Sequence, residues 1–418
     1  MLVFKFGGAS VKDANAIINL GSVVKKFDGE QLLIVVSAMG KTTNALEKLT
    51  KAYVNGEENV HEIFDEIKAY HYTIISELFK PGHPVFDEVA NTFVEIDWVI
   101  EDEPHEDYDF TYDQIVSVGE LVSTRIVNAY LNETNIKSKW LDVRGYVQTD
   151  NTYREGIVQW DKTCNAINKD IPALLQKSHV VTQGFLGGTS ENFTTTLGRE
   201  GSDYTASIFA ACLGAASVTT WKDVPGILNA DPKLFEDTVK FDELSYTEAI
   251  EMTFYGASVI HPKTIKPLQN AKTPLLVKSF THPDDPGTII HETGENKFVK
   301  PVIIIKQNQV LLSISARDYS FISEEQLSTI FKLFSQCQVK VNVMQTSALS
   351  FTVCVDLHEE RFKKLLLALK NGFKVKYNDN LTLITVRHYT VASLKDLTEG
   401  KTILMEQLSR NTIQLVVR

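Results

Sequence analysis

The sequence predicts an α/β protein built on a mostly parallel sheet and followed by a smaller ferredoxin-like region. Three observations carry this. Short apolar runs, "LVFKF" (2 to 6), "QLLIVVS" (31 to 37), "HVVTQGF" (179 to 185) and "SVTTW" (217 to 221), alternate with segments of helical period. Apolar strands without polar alternation are covered on both faces, as parallel strands between helix layers are. After "THPDDPGTIIHE" (281 to 292), rich in proline and polar groups, the texture changes to strand–helix–strand–strand units.

The first strand runs into a glycine turn, and then Val11, Ala14, Ile17, Ile18, Val23, Val24 and Phe27 recur at threes and fours, as a one-sided helix requires. Residues 45 to 100 read as largely helical. The stretch from 95 to 113, "EIDWVIEDEPHEDYDFTYD", carries nine acidic residues; without metal-ligand spacing it reads as a solvated acidic loop. Beyond residue 300, "VLLSIS", a helix near 324 to 336, "VKVNVMQTS", "LSFTVCVD", a helix near 359 to 370 and "FKVKY" form one unit. A second copy begins at "LTLITVRHY" (381 to 389), and the chain ends before it is complete.

With 418 residues, 43% of them hydrophobic, the chain can bury a substantial core in two or three domains. A net charge of −11 argues against nucleic acid or an anionic membrane as the main partner and favours a small ligand. Cys164, Cys212, Cys337 and Cys354 form no CxxC pair and read as reduced core thiols of a cytoplasmic protein. The start "MLVFKFGGAS" has no signal-peptide pattern, and no apolar run approaches the roughly 18 residues of a membrane span.

In an open parallel sheet, ligands lie beyond the carboxyl ends of the strands, so chemistry is sought in the turns there. "KFGGAS" (5 to 10) places Lys5 on the first strand and Gly7–Gly8 after it, either as a tight strand-to-helix turn or as an anion cradle. "SAMGKTTNAL" (37 to 46) adds the hydroxyls of Ser37, Thr42 and Thr43 where a helix starts, as helix caps or as ligands. "SVGELVSTRIV" (117 to 127) sets Glu120 at the head of an apolar helix, where a glutamate by itself reads as dipole compensation. "LGREGSDYTASIFAACLG" (197 to 214) is the most specific: Gly198, Arg199, Gly201, Ser202 and Asp203 combine a carboxylate receptor, a hydroxyl and an acid in one turn. There is no GxxxxGK[ST], so this is not a P-loop, and "KFGG" does not satisfy GxGxxG.

Taken in order, "KFGGAS", "VVSAMGKTTNAL", "SVGELVSTRIV", "VTQGFLGG", "TTTLGREGSDYTA", "WKDVPGILNADPK" and "EMTFYGASVIHPKTI" resemble the aspartate kinases, enzymes of the amino acid kinase fold whose chains end in two ACT modules. The resemblance covers essentially the whole chain. It implies a catalytic domain over 1–295, a first ACT module with a connecting strand over 296–379, and a second, truncated ACT module over 380–418. It also implies transfer of the γ-phosphoryl of ATP, with Mg2+, to the β-carboxylate of L-aspartate. The product would be 4-phospho-L-aspartate, the first step toward lysine, threonine and methionine. By position, Lys5 and Asp203 match the residues that organise transfer; Ser37, Thr43, Glu120, Arg199 and Ser202 match those around aspartate, Glu120 on its ammonium and Arg199 on its α-carboxylate. Lys5, Phe6, Gly7, Gly8, Lys222, Asp223, Leu228, Lys233 and Ser258 match the ATP side, and no residue is assigned as a metal ligand. The chemistry suits this assignment, because a carboxylate meeting a triphosphate needs positive charge in place where negative charge gathers. A nucleophile already ionised at neutral pH needs no general base, which leaves Asp203 to orient Lys5 or the metal.

The chain departs from the family at the nucleotide. Relatives often read T-D-V-x-G-x-Y and then D-P-R, where this chain has Lys222, Asp223, Leu228 and Lys233, and Ser258 stands where a lysine is common. Lys222 is expected to supply the missing cation, with a weaker ATP site as the alternative. His261, followed by proline, is expected to cap or pack. The C-terminal region resembles lysine-inhibited aspartate kinases over 315 to 323 and 339 to 348; Ser347 fits, but Asn342 and Ala348 replace acids and the glycine expected near Phe321 is absent. Weak or no lysine inhibition is expected, with threonine or no effector as alternatives. A homodimer through the ACT modules is the default. Two rivals stand beside this reading: another kinase of the same fold, and an amino-acid sensor without turnover. The Glu120 and Arg199 pair suits a zwitterion and opposes the first; intact Lys5, Arg199 and Asp203 oppose the second.

Overall fold

The structure is a computed structural model and describes residues 1–257, 260–293, 300–318 and 320–418. Ser258 lies outside the described residues, as does the boundary expected near residue 295. The chain divides into two compact bodies: Met1–Ile227, Lys240–Ile250 and Val259–Asn296 form the first, and Leu228–Val239, Glu251–Ser258 and Lys297–Arg418 the second.

Up to the second sheet the elements follow as β1 (Leu2–Phe6), α1 (Ala14–Lys25), β2 (Leu32–Val36), α2 (Thr42–Val54), α3 (Val60–Leu78), α4 (Val85–Glu101), α5 (Tyr108–Val116), α6 (Val118–Glu133), β3 (Ser138–Leu141), α7 (Trp160–Leu175), β4 (His179–Gln183), β5 (Leu186–Gly188), β6 (Thr194–Thr196), α8 (Gly201–Leu213), β7 (Ser217–Lys222), β8 (Glu243–Ser245), α9 (Tyr246–Tyr255), α10 (Pro262–Ala271), β9 (Leu275–Ser279) and β10 (Thr288–His291). Eight strands form one sheet in the order β3-β4-β2-β1-β7-β9-β10-β8, antiparallel only between β9 and β10. All five residues of β2 are buried, because helices cover both faces of the sheet. The period of two along β1 divides its side chains. Phe4 and Phe6 pack against Trp221, Phe6 stacked at 6.1 Å, while Lys5 faces the other layer. Since β1, β2, β4 and β7 are neighbours and parallel, their carboxyl ends open along one edge.

The second body carries an antiparallel sheet in the order β12-β13-β11-β14-β16-β15. Its strands and helices are β11 (Val302–Ser315), α11 (Glu324–Gln336), β12 (Val341–Thr346), β13 (Phe351–Asp356), α12 (Glu359–Gly372), β14 (Lys374–Arg387), α13 (Val391–Thr398), β15 (Ile403–Leu408) and β16 (Thr412–Val417). Two strand–helix–strand–strand copies lie side by side, joined where β11 pairs with β14 from Val302↔Arg387 to Ser315↔Lys374. A capping box, Ser323 with Gln326, starts α11. Val310, Leu312, Ile314, Ile330, Phe334, Leu365 and Leu369 fill the core of the first copy.

Two sequence expectations are corrected. Cys164 and Cys212 are bonded to each other, tying α7 to α8, because the fold brings together two half-buried residues 48 positions apart; only Cys337 and Cys354 are free buried thiols. The acidic stretch is not uniformly solvated. Asp113 is fully buried and accepts from the Thr196 hydroxyl (2.7 Å), the Thr196 N–H (2.9 Å) and the Arg154 N–H (2.8 Å), so it pins β6 to α5. Burial lifts its carboxyl to about 6 despite these donors. Among the described residues no helix is long and apolar enough to cross a membrane, and no cluster of three or more His, Cys, Asp or Glu could hold a metal ion.

Candidate active site

Lys5 is positioned by its place on β1, paired with Val35 of β2 on one side and Thr220 of β7 on the other. Its Nζ lies 3.1 Å from Asp203 Oδ1, and Lys222 Nζ lies 3.6 Å from Asp203 Oδ2. Asp203 therefore sits between two ammonium groups in the first turn of α8, where the helix dipole also favours its charge. Burial pushes the Asp203 carboxyl up, but Lys5 and Lys222 outweigh it and hold the group below the ordinary carboxylate range. Burial lowers the Lys5 pKa, Asp203 pulls it back, and Lys222 lowers it again. The result is a fixed cationic pair around one anion at the end of the central strands.

The two loops above these strands interlock. Gly8 is where a close approach demands glycine: a Cβ there would stand 2.8 Å from the Gly40 carbonyl oxygen and 2.9 Å from that of Ala38. A Cβ on Gly184, at the end of β4, would come within 2.4 Å of the Ser202 Cβ, so the first turn of α8 rests directly on that strand end. Phe6 is wholly buried, which leaves only its main chain for a ligand.

Glu120 is 2% exposed in the first turn of α6. Its Oε1 accepts from the Ala38 N–H at 3.4 Å, and its Oε2 is buried without a hydrogen-bond partner. Burial raises the carboxyl to about 8. The same helix donates the Ser123 hydroxyl to the Ser37 carbonyl at 2.7 Å, which holds the loop after β2 against Glu120. The N-cap of α2 is Lys41, with no side-chain cap, so Thr42 and Thr43 are not capping residues. Thr42 is buried 3.4 Å from His71 Nε2, and Thr43 is half-buried. Arg199 is exposed on the turn leading into α8. Among the described residues the structure thus gathers Lys5, Gly7, Gly8, Ser37, Thr43, Glu120, Ser202, Asp203 and Lys222 about the carboxyl ends of β1, β2, β4 and β7, with Asp223 exposed just past β7. Leu228 and Lys233 belong to the second body, Leu228 partly buried and Lys233 exposed. His261 caps α10, accepting from the Lys263 N–H at 3.1 Å.

Two contributors escaped the sequence reading. Glu200 is the N-cap of α8 with φ 55°, in the left-handed region unusual outside glycine, and its Oε2 is buried without a hydrogen-bond partner. Burial raises its carboxyl, Lys222 lowers it and Asp203 raises it further, so it shares the field of the cationic pair. The acid between two glycines in "GREGS" was the available signal. Asp113, through β6, fixes the strand that enters the Gly198 turn; an isolated acid in an acid-rich stretch gave no signal.

Residues 1–279 match the amino acid kinase family. Lysine-sensitive aspartokinase 3 of Escherichia coli (strain K12) is 31% identical over 393 residues, spanning 92% of this chain and 86% of its own. Aspartokinase 1, chloroplastic, of Arabidopsis thaliana is 32% identical over 368 residues, spanning 85% of this chain and 63% of its own. The crystal structure of E. coli aspartokinase III in complex with aspartate and ADP, an R-state, matches with a TM-score of 0.85 at 27% identity, covering 100% of this chain and 96% of that one. A strand-end site of this composition, a match to the family over two thirds of the chain and a relative of this identity over nearly its full length lead to one conclusion: the chain belongs to the amino acid kinase family and, within it, to the aspartokinases.

Proposed function

We infer that this chain transfers the γ-phosphoryl group of ATP to the β-carboxylate of L-aspartate, making 4-phospho-L-aspartate as the first step toward lysine, threonine and methionine. The supporting observation is Glu120: a sealed carboxyl with one oxygen lacking any partner stabilises the site only when a cation comes to it. The ammonium of an amino acid is such a cation. Arg199, Ser37, Thr43 and Ser202 serve the rest of the zwitterion, with Arg199 on the α-carboxylate. Lys5 faces the charge that builds on the phosphoryl group in transfer, Asp203 aims Lys5 and Lys222, and Lys222 supplies the second cation of the nucleotide site. The main chain of Phe6, Gly7 and Gly8 and the exposed Asp223 border that site; Leu228, Lys233 and Ser258 keep nucleotide roles on the resemblance alone.

Mg2+ is expected with the nucleotide. Asp203 is already held by two lysines, and Asp223, the acid assigned on the ATP side, is exposed past β7, which fits a metal carried by phosphates and water rather than by a protein cage. The two copies of the second body are proposed to be ACT modules, with a homodimer forming through them. Supporting this, the edge strands β12 and β15 expose Met344, Ile403, Leu404 and Leu408. Light scattering of the whole chain tests the dimer. A cytoplasmic setting goes with the pathway, and counting free thiols in protein taken directly from cells tests it against the Cys164–Cys212 bond.

The function is tested by coupled ADP release with MgATP. Turnover that requires L-aspartate and is not supported by a nucleoside monophosphate is the expected result. Aspartate binding without ADP release would instead favour a sensor.

A further inference from the structure

Within the first body a groove of about 690 Å³ runs over the outer face of α8, with α7 and α10 as its walls, and it shares no lining residue with the site described above. Volumes of this size suit small organic ligands. Tyr204 and Ala211 form the floor, Trp160 and Cys164 one wall, Pro267 and its neighbours on α10 the other. Trp160 is 37% exposed and meets the Tyr204 ring edge-on at 6.5 Å and 70°, which leaves flat aromatic surface facing the groove. The Cys164–Cys212 bond holds α7 against α8, so this wall is formed before any ligand arrives.

The charge of the groove has one sign. Lys263 and Lys266 stand one turn apart on α10, both exposed, and among the described residues neither makes an ion pair. Among the described residues no acid lines the groove; Glu155 approaches only Lys263, from the Gly198 side, so in a chain with 53 acidic and 42 basic residues the charge facing the groove, led by Lys266, selects an anion.

We propose that this groove is a second ligand site, taking a small molecule with a flat aromatic body and one anionic group. The rings of Trp160 and Tyr204 and the prolines of α10 receive the body, and Lys263 and Lys266 receive the charge. Lys263 Nζ also lies 3.5 Å from where a Cβ of Gly198 would stand, which places the anion's partner against the turn that carries Arg199.

The test is calorimetric titration of the full chain with 1-naphthoate, in the presence of saturating ADP and aspartate so that no turnover occurs, against 1-naphthylmethylamine and 1-naphthalenemethanol. One equivalent of naphthoate should bind, with the amine and the alcohol each weaker by about tenfold or more. Trp160→Ala and Lys266→Glu should each lose about tenfold in naphthoate affinity while kinase turnover stays unchanged. Should Trp160→Ala fail to fold, the exposed Lys266→Glu decides. Equal affinity for the amine, retention of binding in Lys266→Glu, or displacement by ADP would overturn the proposal. So would sedimentation showing that Lys266→Glu breaks a dimer, since the groove would then belong to a second copy of the chain.

Discussion

At the scale of single residues, Glu120 sets the pH behaviour of substrate binding. Burial holds its carboxyl at about 8, so below that pH the free protein carries it neutral, whereas the ammonium of aspartate needs it ionised. Binding then expels a proton, and affinity falls as pH drops through that value, by up to about tenfold per unit. The KM for aspartate should accordingly rise from about pH 8 to pH 6, and the slope should vanish in Glu120→Gln. Arg199 is exposed in the free protein, so truncating it should cost the charge-assisted bond it makes to the α-carboxylate, about 1.5–3 kcal/mol, appearing mainly in the aspartate KM with little change in ATP affinity. If Arg199→Ala weakens ATP and spares aspartate, the assignment to the α-carboxylate is wrong. Lys5→Ala should instead lower kcat by about 10²–10³-fold, because it removes charge stabilisation that matters most during transfer. Near-normal turnover in the folded variant would remove Lys5 from the mechanism.

At the scale of elements, α8 is held at both ends. Its first turn presents Ser202 and Asp203 to the strand ends, and near its last turn Cys212 is bonded to Cys164 of α7. A cross-link between residues 48 apart restricts the unfolded chain and should contribute about 2–4 kcal/mol. Reductant should therefore lower the Tm of the wild-type protein, and Cys212→Ala should show the lower Tm with or without reductant. Four free thiols in the native oxidised protein would show that the bond is not formed in solution. The helices and strands were legible from periodicity, as in the repeat from Val11 to Phe27, whose middle part, Ala14–Lys25, becomes α1. The disulfide was not, because spacing along the chain says nothing of two helices lying side by side.

At the scale of the whole molecule, the issue is regulation. Asn342, at the position where a lysine-binding acid is expected, is already committed. Its Oδ1 accepts from Lys306 Nζ at 3.0 Å, and its Nδ2 donates to Gln309 Oε1 at 2.8 Å and Asp356 Oδ1 at 3.1 Å. Ser347 is turned toward Ser350, and Phe321 is 74% exposed. An amide in place of a carboxylate forfeits a charge-assisted bond of about 1.5–3 kcal/mol, and here an internal ammonium already occupies its acceptor. Lysine should inhibit weakly or not at all at millimolar concentration. The check is the rate at subsaturating aspartate across lysine and threonine titrations. Half-inhibition by sub-millimolar lysine would show that Asn342 and Ala348 do not matter in this way.

The α/β class, the glycine turns and the order of motifs from "KFGGAS" to "VIHPKTI" were determined by the sequence alone, because local periodicity and turn chemistry are written in neighbouring residues. Arg199 and Asp203 were legible as residue types that structure alone seldom needs in one turn, whereas Lys5 and Glu120, each open to a plain structural reading, were singled out only by the family resemblance. What only the tertiary structure decided is their electrical state. That Asp203 lies between two lysines, that Glu120 is sealed with an oxygen unpartnered, and that Asp113 is a buried clasp rather than part of a solvated loop all follow from which strands are neighbours and which helix covers them. Burial and charge proximity depend on distance in space, and residues as far apart as 5, 203 and 222 acquire that distance only when the sheet closes.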